Sequence, residues 1–167
     1  MATILLDTSV IFDHLNGRYG RTPFLDQLIE QGHVLACCPV NFTEVYAGIR
    51  PGEETKTDAF LNSLEFLPVT PEIARQAGLL RRHWRKEGQT LSYTDVTIAA
   101  VALNHQVPLL TDNRKHFPMP ELQLLPLPDS RRSRIKPGPK PARPPIFQHG
   151  KIGNLCRAGR WIFPFCS

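Results

Sequence analysis

The chain has 167 residues, enough for one domain with a real core, and a net charge of +5. That charge is unevenly spread: residues 1–130 hold 11 basic and 15 acidic groups, whereas residues 131–167 hold nine Lys or Arg and no Asp or Glu. The basicity belongs to the tail, so overall charge gives no ground for nucleic-acid binding by the rest of the chain.

Thr3–Leu6 reads as a short apolar strand, and Asp7-Thr8-Ser9 then offers capping oxygens to a helix over Val10–Leu15 that Asn16-Gly17 ends. Thr22-Pro23 opens a second helix to about Gln31, with Phe24, Leu25, Leu28 and Ile29 on its apolar face, before Gly32 breaks it. His33–Cys38 is apolar after its first residue, as in a parallel strand covered on both faces. Helices follow over Pro39–Ile49 and Glu53–Leu64, separated by Arg50-Pro51-Gly52, and then a strand over Phe66–Val69. Thr70-Pro71-Glu72 starts a long helix to Lys86, with Ile73, Ala77, Leu80 and Trp84 at helical spacing. Ser92-Tyr93-Thr94-Asp95 leads into a buried helix, Val96–His105, and strands are expected over Val107–Leu110 and Leu122–Leu125.

Alternation of this kind predicts an α/β domain, a parallel sheet of about four to five strands covered by helices on both faces, over residues 1–128. Residues 129–167 form a basic tail rich in proline, which is expected to be disordered or foreign to the native protein. Its apolar end, Trp161–Phe165, is too short for a domain. The adjacent Cys37 and Cys38 read as small buried residues, and Cys156 and Cys166 as tail thiols. No secretory signal or membrane span is legible, which makes the cytoplasm the expected location.

Four acids stand out against this scaffold. Asp7 and Asp112 fall at strand carboxyl ends, where open α/β sheets bind ligands, while Glu44 and Asp95 lie in apolar helices. A charge out of water needs a partner, and four acids on separate elements suggest a shared cation. Mg²⁺ and Mn²⁺ favour such oxygen donors and can activate water against a phosphodiester. Each acid also has an ordinary explanation: Asp7 and Asp95 as helix caps, Glu44 as a solvated helical carboxylate, Asp112 as a turn residue.

The motifs Ile4-Leu5-Leu6-Asp7-Thr8-Ser9-Val10-Ile11, Asn41-Phe42-Thr43-Glu44-Val45-Tyr46-Ala47-Gly48, Tyr93-Thr94-Asp95-Val96-Thr97-Ile98-Ala99-Ala100 and Leu110-Thr111-Asp112-Asn113-Arg114-Lys115-His116-Phe117 come in this order. Together they resemble the PIN-domain ribonucleases, and most closely the VapC-type toxins of bacterial toxin–antitoxin pairs. The resemblance implies a three-layer PIN-like fold, Mg²⁺- or Mn²⁺-dependent endoribonuclease activity on RNA, a homodimer and a cognate antitoxin. It implies Asp7, Glu44 and Asp95 as metal-holding catalytic residues. Asp112 departs from the family's usual spacing, so the fourth catalytic position stays open between Asp112 and Asn113, with Thr111 as a supporting residue. Arg114 and Lys115, and Arg81, Arg82 and Arg85 on the long helix, are candidate phosphate contacts, and His116 a candidate acid–base group. Two other functions remain open: a non-catalytic RNA- or protein-binding module on the same fold, and an aspartate-based phosphotransfer domain, for which the expected second Asp and Lys are missing.

Overall fold

In the computed structural model, which describes residues 1–128, strand β1 (Thr3–Leu6) lies at the centre of a five-stranded sheet. Around it run β2 (Val34–Cys37), β3 (Glu65–Phe66), β4 (Leu109–Leu110) and β5 (Leu124–Leu125), in the order β3-β2-β1-β4-β5. All pairings are parallel, with Leu5 opposite Ala36 on one side and Leu109 on the other. The helices are α1 (Thr8–Leu15), α2 (Arg21–Glu30), α3 (Pro39–Gly48), α4 (Glu54–Leu61), α5 (Pro71–Lys86) and α6 (Tyr93–His105). The expected parallel α/β sheet is therefore present. The tail expected over residues 129–167 lies outside the described residues.

Strand alternation sorts the core into two layers. Ile4, Leu6, Leu35, Cys37 and Leu110 pack with residues of α1 and α2, whereas Leu5, Ala36, Cys38 and Leu109 pack with residues of α5 and α6. The two adjacent cysteines thus enter opposite layers as buried free thiols, and burial pushes Cys37 up to about 12. No described helix is long and apolar enough to cross a membrane.

Several boundaries differ from expectation for local reasons. β3 is only Glu65–Phe66, because its partner β2 ends at Cys37, whose carbonyl still accepts from Leu67 N at 2.8 Å. β4 begins at Leu109, after Pro108 has only accepted from Leu5 N at 2.9 Å. α4 stops at Leu61 rather than Leu64, where Ser63 turns its hydroxyl onto the Phe60 carbonyl. α6 begins at Tyr93, three residues early, because Ser92 Oγ accepts from the Asp95 backbone N–H at 2.9 Å.

α1 and α3 approach closely at Gly48, where an added Cβ would stand 2.6 Å from the Phe12 ring. Alanine is ordinarily the better helix residue by ~0.5–1 kcal/mol. Here the sign reverses: Gly48→Ala is expected to destabilise the protein by ~1–2 kcal/mol in urea denaturation, as overpacking does. A gain in stability would show that Phe12 moves aside freely.

Candidate functional site

The strand order reverses beside β1: the chain leaves β1 for β2 on one side and later returns to β4 on the other. Ligands of open parallel sheets bind outside the strand carboxyl ends at such a point. Asp7 follows β1 there, its backbone N–H bonding the Leu110 carbonyl at 2.9 Å, and Thr111 follows β4.

Asp7 occupies the cap position of α1, yet its carboxylate caps nothing. Ser9 and Thr111 instead donate their hydroxyls to its Oδ2, at 2.6 and 2.7 Å, which leaves Oδ1 without a side-chain donor among the described residues. Asp7 is 6% exposed, and its carboxylate has no Lys, Arg or His partner among the described residues. Burial pushes its pKa above the ordinary aspartate value, the two hydroxyls draw it partly back, and the charge of Asp95 pushes it up again.

Glu44 projects from the middle of α3, half-buried, and accepts the Thr8 hydroxyl at 2.6 Å. Thr8 and Ser9, which read as capping residues, thus serve two acids. Behind Thr8 lies Asn41, fully buried, whose amide donates to Thr8 Oγ1 at 2.9 Å and to the Leu6 carbonyl at 3.3 Å. Its Oδ1 accepts from Cys38 N at 2.8 Å. One side chain thereby ties β1, the start of α1 and the start of α3 together. The sequence offered one sign of this, an Asn at the third position of a helix, where a side chain can turn back onto the cap.

Asp95 sits in the first turn of α6, half-buried; Ser92 does the capping, so the Asp95 carboxylate is released from that duty. Its partner is His116, whose Nδ1 lies 3.1 Å from Oδ2. His116 therefore lies beside an acid instead of standing alone. Asn113 contacts the same imidazole nitrogen at 2.9 Å, and its backbone N–H donates to Thr111 Oγ1 at 2.9 Å. A continuous path of polar contacts thus links Asp7 to Asp95 through Thr111, Asn113 and His116.

Asp112 is turned away from this path. It pairs with Arg21, the first residue of α2, and is exposed. Arg21 is fully buried, lies 3.7 Å from Asp13, and reaches the Pro128 carbonyl at 3.4 Å. The Asp112 carboxylate thus neutralises a buried guanidinium at the edge of the acid group. Asn113, not Asp112, lies on the path of contacts between Thr111 and His116. Arg21 escaped the sequence reading, although a cation in a helix's first turn opposes the dipole and so signals another use. Arg114 and Lys115 lie exposed on a short 3-10 turn, Arg114–His116.

The arrangement suits a hard cation by its chemistry: all-oxygen acids, one of them deeply buried with no cation beside it. Among the described residues, however, no three His, Cys, Asp or Glu side chains already converge as a metal-holding group. Asp7, Glu44 and Asp95 are thus brought to one end of the sheet but not closed into a cage. Bare carboxylates repel one another; Asp7 and Glu44 are held by hydroxyls, and the His116 imidazole lies beside Asp95. Mg²⁺ keeps several of its waters, so few direct protein ligands are needed.

The PIN domain model matches residues 4–120. "Ribonuclease VapC19" of Mycobacterium tuberculosis is 37% identical over 71% of this chain and 96% of its own length. "Ribonuclease VapC10" of the same organism is 35% identical over 70% of this chain and 86% of its own. Among solved structures, VapBC2 of Rickettsia felis, bound to a promoter DNA fragment, superposes with a TM-score of 0.66 at 23% identity, over 74% of this chain and 97% of that one. A toxin–antitoxin complex from Klebsiella pneumoniae gives 0.59 at 25%, over 71% and 94%. This chain belongs to the PIN-domain family and groups with its VapC-type members.

Proposed function

We propose that the chain is an Mg²⁺- or Mn²⁺-dependent endoribonuclease, the toxin of a toxin–antitoxin pair. The observation that carries this is Asp7: a buried carboxylate at the switch in strand order, oriented by two hydroxyls and without a cation. Its relatives named as ribonucleases, and neighbours solved as toxin–antitoxin complexes, support the same reading. A cognate antitoxin, a homodimer and work in the cytoplasm belong to the proposal.

Asp7, Glu44 and Asp95 would hold the ion. When bound, it would polarise the scissile phosphodiester and lower the pKa of a water. The protein's own part is positional. Ser9 and Thr111 fix the rotamer of Asp7, Thr8 and Asn41 fix Glu44, and His116 lies beside Asp95. Arg114 and Lys115, exposed beside Asn113, would meet backbone phosphates.

Thr111→Val removes a hydroxyl bond to Asp7 while keeping the shape of the side chain. It is expected to lower cleavage ~10–100-fold, the usual cost of losing a group that orients a metal ligand. Thr111→Ser should restore most of the rate. Equal rates for all three proteins would remove Thr111 from the machinery.

The test of the function is purified full-length protein incubated with tRNA and rRNA in Mg²⁺, in Mn²⁺ and in EDTA. Internal cuts that need the metal are expected. RNA left intact in every condition overturns the proposal and favours a binding module.

A further inference from the structure

We infer that Tyr93, backed by Arg81, is a stacking platform for a nucleobase next to the phosphate to be cut; this rests on the RNA-cleaving function proposed above. Tyr93 is the first residue of α6 and is 70% exposed, an uneconomical place for a large ring in a folded domain. The ring is nevertheless not loose. The Arg81 guanidinium lies 4.0 Å from its centroid, and Arg81 Nε is itself held by the Leu91 carbonyl at 3.0 Å. The Tyr93 carbonyl accepts from the Thr97 hydroxyl at 2.7 Å, which fixes the turn beneath it.

One face of the ring is thus covered by a fixed cation while most of the ring meets solvent. Tyr93 is two residues from Asp95, so their Cα atoms lie within about 7 Å. Arg82, Arg85 and Lys86 are exposed on the end of the same helix that carries Arg81. Single-stranded nucleic acid is bound by this combination: an aromatic face for a base, with cations nearby for the backbone. A base on Tyr93 would set the register of the strand against Asp95. Tyr93 would therefore govern affinity and cut position rather than bond breaking.

The experiment uses the full chain and a short fluorescein-labelled oligoribonucleotide of mixed sequence. Binding is followed by anisotropy in the Asp7→Asn background, which prevents cutting. Adding Tyr93→Ala is expected to weaken binding ~10-fold, within the range that base–aromatic stacking supplies. Tyr93→Phe and Tyr93→Trp should stay close to the parent, and all should share its melting temperature. An abasic nucleotide beside the cut should weaken the parent but not the Tyr93→Ala protein. Unchanged affinity on Tyr93→Ala overturns the platform. Cleavage with Asp7 intact, measured in parallel, separates the two ideas. RNA cut normally while Tyr93→Ala binds unchanged sinks the platform alone. RNA bound through Tyr93 but never cut sinks only the nuclease, and RNA neither bound nor cut overturns both.

Discussion

Asp7→Asn is expected to abolish RNA cleavage and, at neutral pH, to raise the melting temperature. The loss should reach at least ~10²–10³-fold, the scale felt when one preorganised charge-stabilising group is removed from a transition state. The gain in stability follows from where Asp7 sits. Burial is the main reason its pKa is raised, so its ionised form is less favourable in the folded protein than in the unfolded chain. Above the ordinary aspartate value of 3.8 that mismatch costs stability, and the cost is complete once pH exceeds the folded-state value. As pH falls through the folded-state value Asp7 takes up a proton in the native state, and below 3.8 the penalty is gone. An asparagine keeps an oxygen for the Ser9 and Thr111 hydroxyls and carries no charge. Its advantage over wild type should therefore be largest near neutrality and vanish at acid pH. Melting curves across pH, with cleavage measured on the same samples, check both halves. A variant that is less stable than wild type at every pH would mean that Asp7 is structural.

Arg21→Met should produce the largest loss of stability, about 3 kcal/mol by urea denaturation, and a correspondingly lower melting temperature. Breaking a buried pair by removing one partner commonly costs ~3–5 kcal/mol, because the other charge is left behind. The lower end applies here, since the Asp112 side chain is 34% exposed and regains water. Asp13 is more enclosed, at 14%; burial raises its pKa, Arg21 opposes that, and Asp112 pushes it higher. Without the guanidinium the two carboxylates face each other unscreened. Arg21→Lys keeps the charge but loses the planar fork, which contacts Asp112 and the Pro128 carbonyl through separate nitrogens, and should recover only part of the stability. Because Asp112 adjoins Thr111 and Asn113, Arg21→Met should slow cleavage as well. Stability within 0.5 kcal/mol of wild type, the usual effect of a surface substitution, would show that Arg21 is a solvated charge.

How much of this was legible before folding depends on the range of each interaction. The apolar runs around Leu5, Ala36 and Leu109 announced a covered parallel sheet, because period-two burial is written locally. Thr70 at the cap of α5, which accepts from Ile73 N at 3.3 Å, was visible for the same reason. Asp7, Glu44 and Asp95 were singled out by type, placement and family motif. Their partners were less legible. Thr8 and Ser9 look like caps in any sequence; only the approach of α3 gives Thr8 its acceptor Glu44, whereas Ser9 turns onto its neighbour Asp7. The Arg21–Asp112 pair joins residues 91 apart, and Asn41 reaches Thr8 across 33 positions. No periodicity encodes such contacts. Asp112 is an example: nothing in its neighbours Thr111 and Asn113 announces Arg21, which enters from α2.

Binding of Mn²⁺, followed by electron paramagnetic resonance in the wild type, Asp7→Asn and Asp95→Asn, tests most directly whether these acids form one metal site. Saturable binding to wild type is expected, strongly weakened in both variants, with an RNA-cleaving activity that rises in step with occupancy. Equal Mn²⁺ binding by all three proteins, or cleavage that continues with no ion bound, would contradict the account.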